Sequence, residues 1–150
     1  MRHTLRLNAV LVVGFAMVWI SATPPSGFAP TKATERLVGE WIAPASADTI
    51  KNPFKGNAAS VEDGKKIYAK NCSVCHGDKG KGDGIASAGL TPRPADHSSE
   101  KTQKQSDGAL FWKITNGRPP MAAYAKIYTP AQRWAVVNFI RTLKAPSGKK

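Results

Sequence analysis

Residues 72–76 read CSVCH. Cys72 and Cys75 are the only cysteines in the 150-residue chain, and His76 follows directly. Any fold of this chain must therefore hold two thiols and an imidazole within one short turn. The chain is also poor in the material of an ordinary core. Residues 77–105 are a run rich in Gly, Lys, Ser, Asp and Pro. A loop that long is uncommon in a small domain unless it wraps around something.

Three helices are legible around this loop. The first spans Ser60 to Asn71, with Ser60 able to cap it and Glu62 and Asp63 near the positive end of its dipole. Val61, Gly64, Ile67 and Tyr68 share one face by helical spacing. Gly64 in mid-helix costs about 1 kcal/mol relative to Ala, which suggests a place where another helix must come close. The second helix spans Asp107 to Asn116, capped by Ser106 and ended by Gly117, with Leu110, Phe111 and Ile114 as its apolar face. The third spans Pro130 to Leu143. Thr129 is its cap, Pro130 takes the first helical position, and Gln132 stands where a capping box needs it. No alternating strand pattern and no internal repeat stand out. The fold class expected is all-α.

The N-terminus begins with Arg2 and Arg6, and Ala9 to Ala22 is an uncharged apolar run of 14 residues. A spanning helix needs about 20 apolar residues, whereas this length suits the hydrophobic region of a secretory signal. Residues 1–22 are therefore read as an export signal, with residues 9–22 retained as a membrane anchor the main rival. "ASA" at 45–47 is a second small-x-small cleavage pattern, so the leader could extend to Ala47. Residues 23–47 are read as linker or extended leader, and residues 48–150 as the folded domain. That domain carries 18 basic and 8 acidic side chains. Such a balance favours acidic partners. Nucleic acid is set aside, because no basic helix interleaved with aromatics is present.

Three chemistries compete for CSVCH. A closed zinc site wants four Cys or His ligands; Cys72, Cys75, His76 and His97 meet the count, but adjacent Cys75 and His76 strain a tetrahedral arrangement. A redox dithiol of the thioredoxin type needs a βαβ context. Here the motif follows the C-terminal end of a helix, where the dipole disfavours a thiolate. The third reading is covalent haem attachment, C-x-x-C-H. Two thiols one short turn apart can reach both haem vinyl groups, and the following His76 then lies beneath the iron. Met121 strengthens this reading. It is the only methionine in 48–150, in "NGRPPMAAY", 45 residues beyond His76. A His/Met pair is the axial set of high-potential haem carriers. His97 is the fallback for the second axial position.

The stretches "GKKIYAKNCSVCHGDKGKGDG", "LTPRPAD", "DGALFWKITNGRPPMAAY" and "TPAQRWAVVNFIRTL" resemble class I cytochromes c, in particular small single-haem bacterial ones. The resemblance implies three main helices and long loops wrapped around one haem c. It implies Cys72 and Cys75 as thioether carriers, His76 as proximal and Met121 as distal iron ligand. It implies a crossing of first and last helices that sets Gly64 and Tyr68 against Val136 and Phe139. A proline carbonyl that accepts the proximal His Nδ1–H is also implied; Pro92 and Pro94 are the candidates, Pro94 preferred, unless both merely stiffen the loop. Ile85 departs from the pattern, since Pro often follows "GDG". The function implied is single-electron transfer in the periplasm between exported or membrane redox proteins, with no catalytic residues because both axial positions are filled. Leu110, Phe111, Ile114 and Val136 would wrap the macrocycle, and Lys79, Lys81, Lys113 and Lys126 would ring its exposed edge and steer acidic redox partners. The alternative is a membrane-anchored haem-bearing subunit of a larger oxidoreductase. A gas- or peroxide-handling protein would require Met121 to be displaceable.

Overall fold

The computed structural model describes residues 39–146, so the expected export segment and anchor lie outside the described residues. Five α-helices follow one another: α1 (Ala58–Asn71), α2 (Ser73–His76), α3 (Glu100–Gln103), α4 (Asp107–Asn116) and α5 (Pro130–Thr142), with short 3-10 turns at Ala45–Thr49 and Ser87–Gly89. Among the described residues there is no strand, only an isolated bridge between Arg118 and Met121. The all-α expectation holds. No described helix is long and apolar enough to cross a membrane.

The helix ends follow the chemistry of their caps. The Thr129 side chain accepts from Gln132 N–H while Gln132 reaches back to the Thr129 N–H, completing the capping box with Pro130 at the first turn. Ser106 caps α4 by accepting from Ala109 N–H, and Gly117 ends it at φ +62°. The start of α1 differs from expectation. Asn57 is the cap, with its side chain accepting from Ser60 N–H. Asn is at least as good a cap as Ser, and Ser60 inside the helix instead accepts a hydrogen bond from Asn138 on α5 at 2.9 Å.

The crossing of α1 and α5 organises the packing. A Cβ added at Gly64 would collide with the carbonyl of Ala135 and come within 3.1 Å of Phe139 Cβ. The mid-helix glycine is thus the point of closest approach, and its nearest partner is Ala135 rather than Val136. Tyr68, one turn on, packs against the Phe139 ring with centroids 5.0 Å apart. Around this crossing Tyr68, Leu110, Ile114, Trp134, Val136, Val137 and Ile140 form the buried core. Seven such side chains, at about 1.5–3 kcal/mol each, make a small core for a domain of this size.

The folded unit begins before the boundary expected near Asp48. Ala47 is buried, and Gly108 on α4 has no room for a Cβ because the Ala47 carbonyl occupies it. Trp41 packs on Trp112 of α4 at 6.4 Å, with Lys113 and Arg118 over its ring. Residues 39–47, expected to be linker or extended leader, are a strap across α4. A lone Trp in a Pro-rich stretch carries no periodicity, and for that reason pattern reading passed over it. A polar knot ties the same region together. Asn52 donates to Asp107 and to Asn138, Asn138 donates to the Phe54 carbonyl, and Arg141 binds Asp107 at 2.7 Å as well as the carbonyls of Gln103 and Gln105.

Replacing Gly64 with Ala forces the two helices apart. Thermal or denaturant unfolding of the Gly64→Ala protein is expected to show a loss of about 1–3 kcal/mol, the usual range for overpacking, even though Ala is the better helix former.

Candidate functional site

The CSVCH site is built on the end of α1. Cys72 closes that helix, its N–H donating to the Tyr68 carbonyl at 2.8 Å, and α2 restarts at once, with His76 N–H donating to the Cys72 carbonyl at 2.8 Å. Cys72, Cys75 and His76 therefore lie on a single turn. The glycine-rich segment after them folds back beneath that turn. N–H groups of Gly77, Ala86, Gly84 and Gly82 donate to the carbonyls of Ser73, Val74, Cys75 and His76 respectively, at 2.7–3.1 Å. Every carbonyl that the end of a short helix would leave unpaired has a donor. Gly84 must be glycine for this, since a Cβ there would strike the Ser73 and Val74 carbonyls. "GDKGKGDG" is a cradle for the motif rather than a solvated loop.

His76 is buried, with Nδ1 2.9 Å from the Ala95 carbonyl. The expected acceptor was Pro94, so the structure moves the contact by one residue. The Pro94 carbonyl is turned toward Gly82, where a Cβ would meet it at 2.5 Å. Burial pushes the His76 pKa down, with the Ala95 hydrogen bond opposing. That shift favours the neutral ring, the form that binds metal, and with Nδ1 committed to Ala95, Nε2 is the nitrogen left for it.

The two cysteines are unlinked. Burial, then the neighbouring Cys75, push the Cys72 thiol up to about 12. A reactive dithiol depends on a lowered thiol pKa, so this environment is the opposite of what redox exchange needs. The zinc reading fails on geometry, because among the described residues no three His, Cys, Asp or Glu side chains converge as a cage. His97 is also excluded as a ligand opposite His76. Its ring is stacked on the His76 ring itself, with centroids 4.0 Å apart and planes 17° apart, and its Nδ1 is 3.1 Å from the Tyr68 hydroxyl.

Met121 is half-buried and packs against the core. Its loop is held at both ends. Met121 N–H donates to the Arg118 carbonyl at 2.8 Å, and Tyr124 and Ala125 N–H donate to the carbonyls of Ile114 and Thr115. The Tyr124 hydroxyl donates to the Asn71 carbonyl at 3.2 Å, and the Asn71 amide bonds the Tyr128 hydroxyl. Asn71 immediately precedes Cys72, so these contacts tie the Met121 loop to the motif across about 50 residues of chain. Burial first, then the nearby Cys72 and Cys75, push the Tyr124 hydroxyl up to about 12. Ala95, Asn71 and Tyr124 were not legible as site residues, since backbone carbonyls carry no sequence signature and a loop Tyr has many uses.

The surroundings fit a flat apolar group. Cys72 and the Met121 thioether both pack against the buried core that contains Leu110 and Ile114. Phe111 is turned toward α5, where it stacks on Trp134 at 4.0 Å, and Arg133 also lies over its ring. Lys79, Lys81 and Lys126 are exposed. Lys113 is not available for the ring of lysines expected around the haem edge. It is half-buried, bonded to Gln105 at 2.6 Å and covered by Trp41, and burial lowers its pKa.

Comparison with known proteins speaks to the family. The family described as cytochrome c matches residues 61–144, more than half of the chain. The chain is 29% identical to cytochrome c6 of Gloeothece citriformis over 67% of its own length and 76% of that protein. It is 23% identical to cytochrome c550 of Pseudomonas aeruginosa over 95% of its own length and 93% of that protein. In three dimensions it resembles a chain of the Kuenenia stuttgartiensis reducing HAO-like protein complex Kustc0457/Kustc0458, with a TM-score of 0.57 and 23% identity. That likeness covers 74% of this chain and 55% of the other, and it speaks to the fold alone. The chain belongs to the cytochrome c family, and its cofactor is accordingly a covalently bound c-type haem whose iron serves electron transfer.

Proposed function

We propose that the protein is an exported single-electron carrier in which Cys72 and Cys75 hold the haem as thioethers, His76 is the proximal ligand and Met121 the distal one. The observation that supports this most is the pairing of two restraints. His76 is held through Nδ1 by Ala95, leaving Nε2 to the iron, and the Met121 loop is pinned to the residue before Cys72. A bound haem c supplies a one-electron Fe(III)/Fe(II) couple. The protein's part is to orient the imidazole, to keep Met121 within reach, and to surround the group with apolar side chains that disfavour extra positive charge and so raise the potential. With both axial positions taken by side chains, the site has no place for a substrate.

The direct test is Met121→Ala. The ferric protein is expected to lose its far-red sulfur-to-iron charge-transfer band, to bind added imidazole, and to show a lower reduction potential, while haem remains covalently attached. A variant that keeps the band would sink the His/Met assignment.

The partners proposed are acidic redox proteins, drawn by the excess of basic side chains over residues 48–150. Exposed Lys79, Lys81 and Lys126 are the steering groups on this reading. Rates of electron exchange with an acidic partner should fall steeply as ionic strength rises from about 0.01 to 0.1 M, where the screening length shrinks from about 30 to 10 Å. A flat salt profile would count against steering.

Export by residues 1–22 is proposed with cleavage well before Ala47. Removal of residues up to Ala47 would strip Trp41 from Trp112 and break the Glu40–Lys101 ion pair. Intact mass of the protein from the periplasmic fraction is expected to correspond to a chain that still contains Gly39–Ala47, plus one haem. A protein that starts at Asp48 would refute this, and one found only in detergent extracts with residues 9–22 intact would favour an anchored subunit of a larger oxidoreductase.

A further inference from the structure

His97 is held more firmly than a loop residue needs to be. Its N–H donates to the Gly80 carbonyl at 2.5 Å, and its own carbonyl accepts from Gln103 Nε2 at 2.7 Å. The same Gln103 nitrogen donates to the Ile140 carbonyl of α5 at 2.9 Å. Gly80 lies against it so closely that a Cβ there would be 3.0 Å from His97 Cβ. The side chain is fixed as well, through the contact of Nδ1 with the Tyr68 hydroxyl, which also lies 3.3 Å from the Gly77 carbonyl. Both contacts are satisfied when Nδ1–H donates to the hydroxyl oxygen and the hydroxyl donates to Gly77. Tyr68 is 1% exposed and sits in the core. The His97 ring is thereby anchored to the interior of the protein, with its face against the face of His76.

This matters for His76 because its Ala95 hydrogen bond is a restraint at a single atom. Around the Nδ1–carbonyl direction the imidazole can still pivot. A parallel ring at 4.0 Å removes that freedom, since tilting the plane would drive one edge of His76 into His97. We propose that His97 is a positioning residue for the proximal ligand, and that the stacked imidazole sets the rotational orientation of the His76 plane. The orientation of an axial imidazole plane governs how unpaired spin is distributed in a ferric haem, so the device acts on the electronic structure of the centre without touching the iron. The inference rests on His76 being the proximal ligand.

The test compares three holoproteins: the unmodified chain, His97→Phe and His97→Leu. Phe keeps a flat ring for stacking and loses the Tyr68 contact; Leu keeps apolar bulk and loses the flat face. The readouts are the ferric haem-methyl proton shifts and the low-spin g-values, with the visible spectrum and thermal unfolding followed in parallel. In His97→Leu the spread and order of the methyl shifts and the g-values are expected to move, while the spectrum stays low-spin and the far-red band persists. In His97→Phe they are expected to stay close to those of the unmodified protein. A Leu variant with an unchanged shift pattern would overturn the proposal. So would equal shifts in Phe and Leu that track only a common loss of stability, because that is the behaviour of a core filler. If instead the unmodified protein is not low-spin with the far-red band, it is the ligand assignment that fails, and the two failures are told apart by that control.

Discussion

The turn from Cys72 to Gly77 can hold its shape only because its carbonyls find donors in the glycine-rich segment that follows. A four-residue helix has almost no cooperative stability of its own, and the carbonyls of α2 would otherwise be left without partners. Folding residues 77–87 back beneath the turn answers that constraint. It also carries the chain to residues 91–97, where Ala95 and His97 reach His76. The cradle, the imidazole restraint and the stacked ring are consequences of one hydrogen-bonding requirement.

The second organising contact is the crossing of α1 and α5 at Gly64. It aligns Tyr68 with Phe139 and buries Tyr68 where its hydroxyl can reach both His97 and the backbone of Gly77. The helix crossing and the haem site are thus mechanically connected through a single buried tyrosine. The core around it is small, which is consistent with a domain whose apolar interior is completed by its prosthetic group. The strap at residues 39–47 contributes in the same sense, by covering α4 and clamping Arg118, the residue whose carbonyl holds Met121 N–H.

Much of this was legible in advance. The spacing of Cys72, Cys75 and His76, the lone Met121 after a stiff Pro-rich loop, the capping box at Thr129 and the glycine at the crossing each have a mechanism visible within a few residues. What was missed has a common character. Ala95 in place of Pro94, Ala135 in place of Val136, and Asn57 in place of Ser60 are shifts of one to three positions. They depend on the direction in which a carbonyl or a Cβ points, which alternates or rotates residue by residue. The strap was missed for a different reason, because a single Trp has no period to detect and only its contact with Trp112 reveals it. Lys113 was misjudged because charge in a sequence says nothing of whether the side chain is pinned.

By itself the sequence determined that this is a haem-carrying chain, since the C-x-x-C-H pattern follows from residue type and local spacing; the pairing of His76 with Met121 on the iron stands as our proposal. It also determined the bounds of α4 and the capped start of α5, because caps are local. Only the tertiary structure decided which backbone carbonyl restrains His76, that His97 lies stacked beside the His76 imidazole, and that the packed unit starts by Gly39. Each of these is a contact between segments far apart in the chain. Such contacts are chosen by the packing of the whole domain, where the placement of one backbone oxygen depends on every element that brings it there.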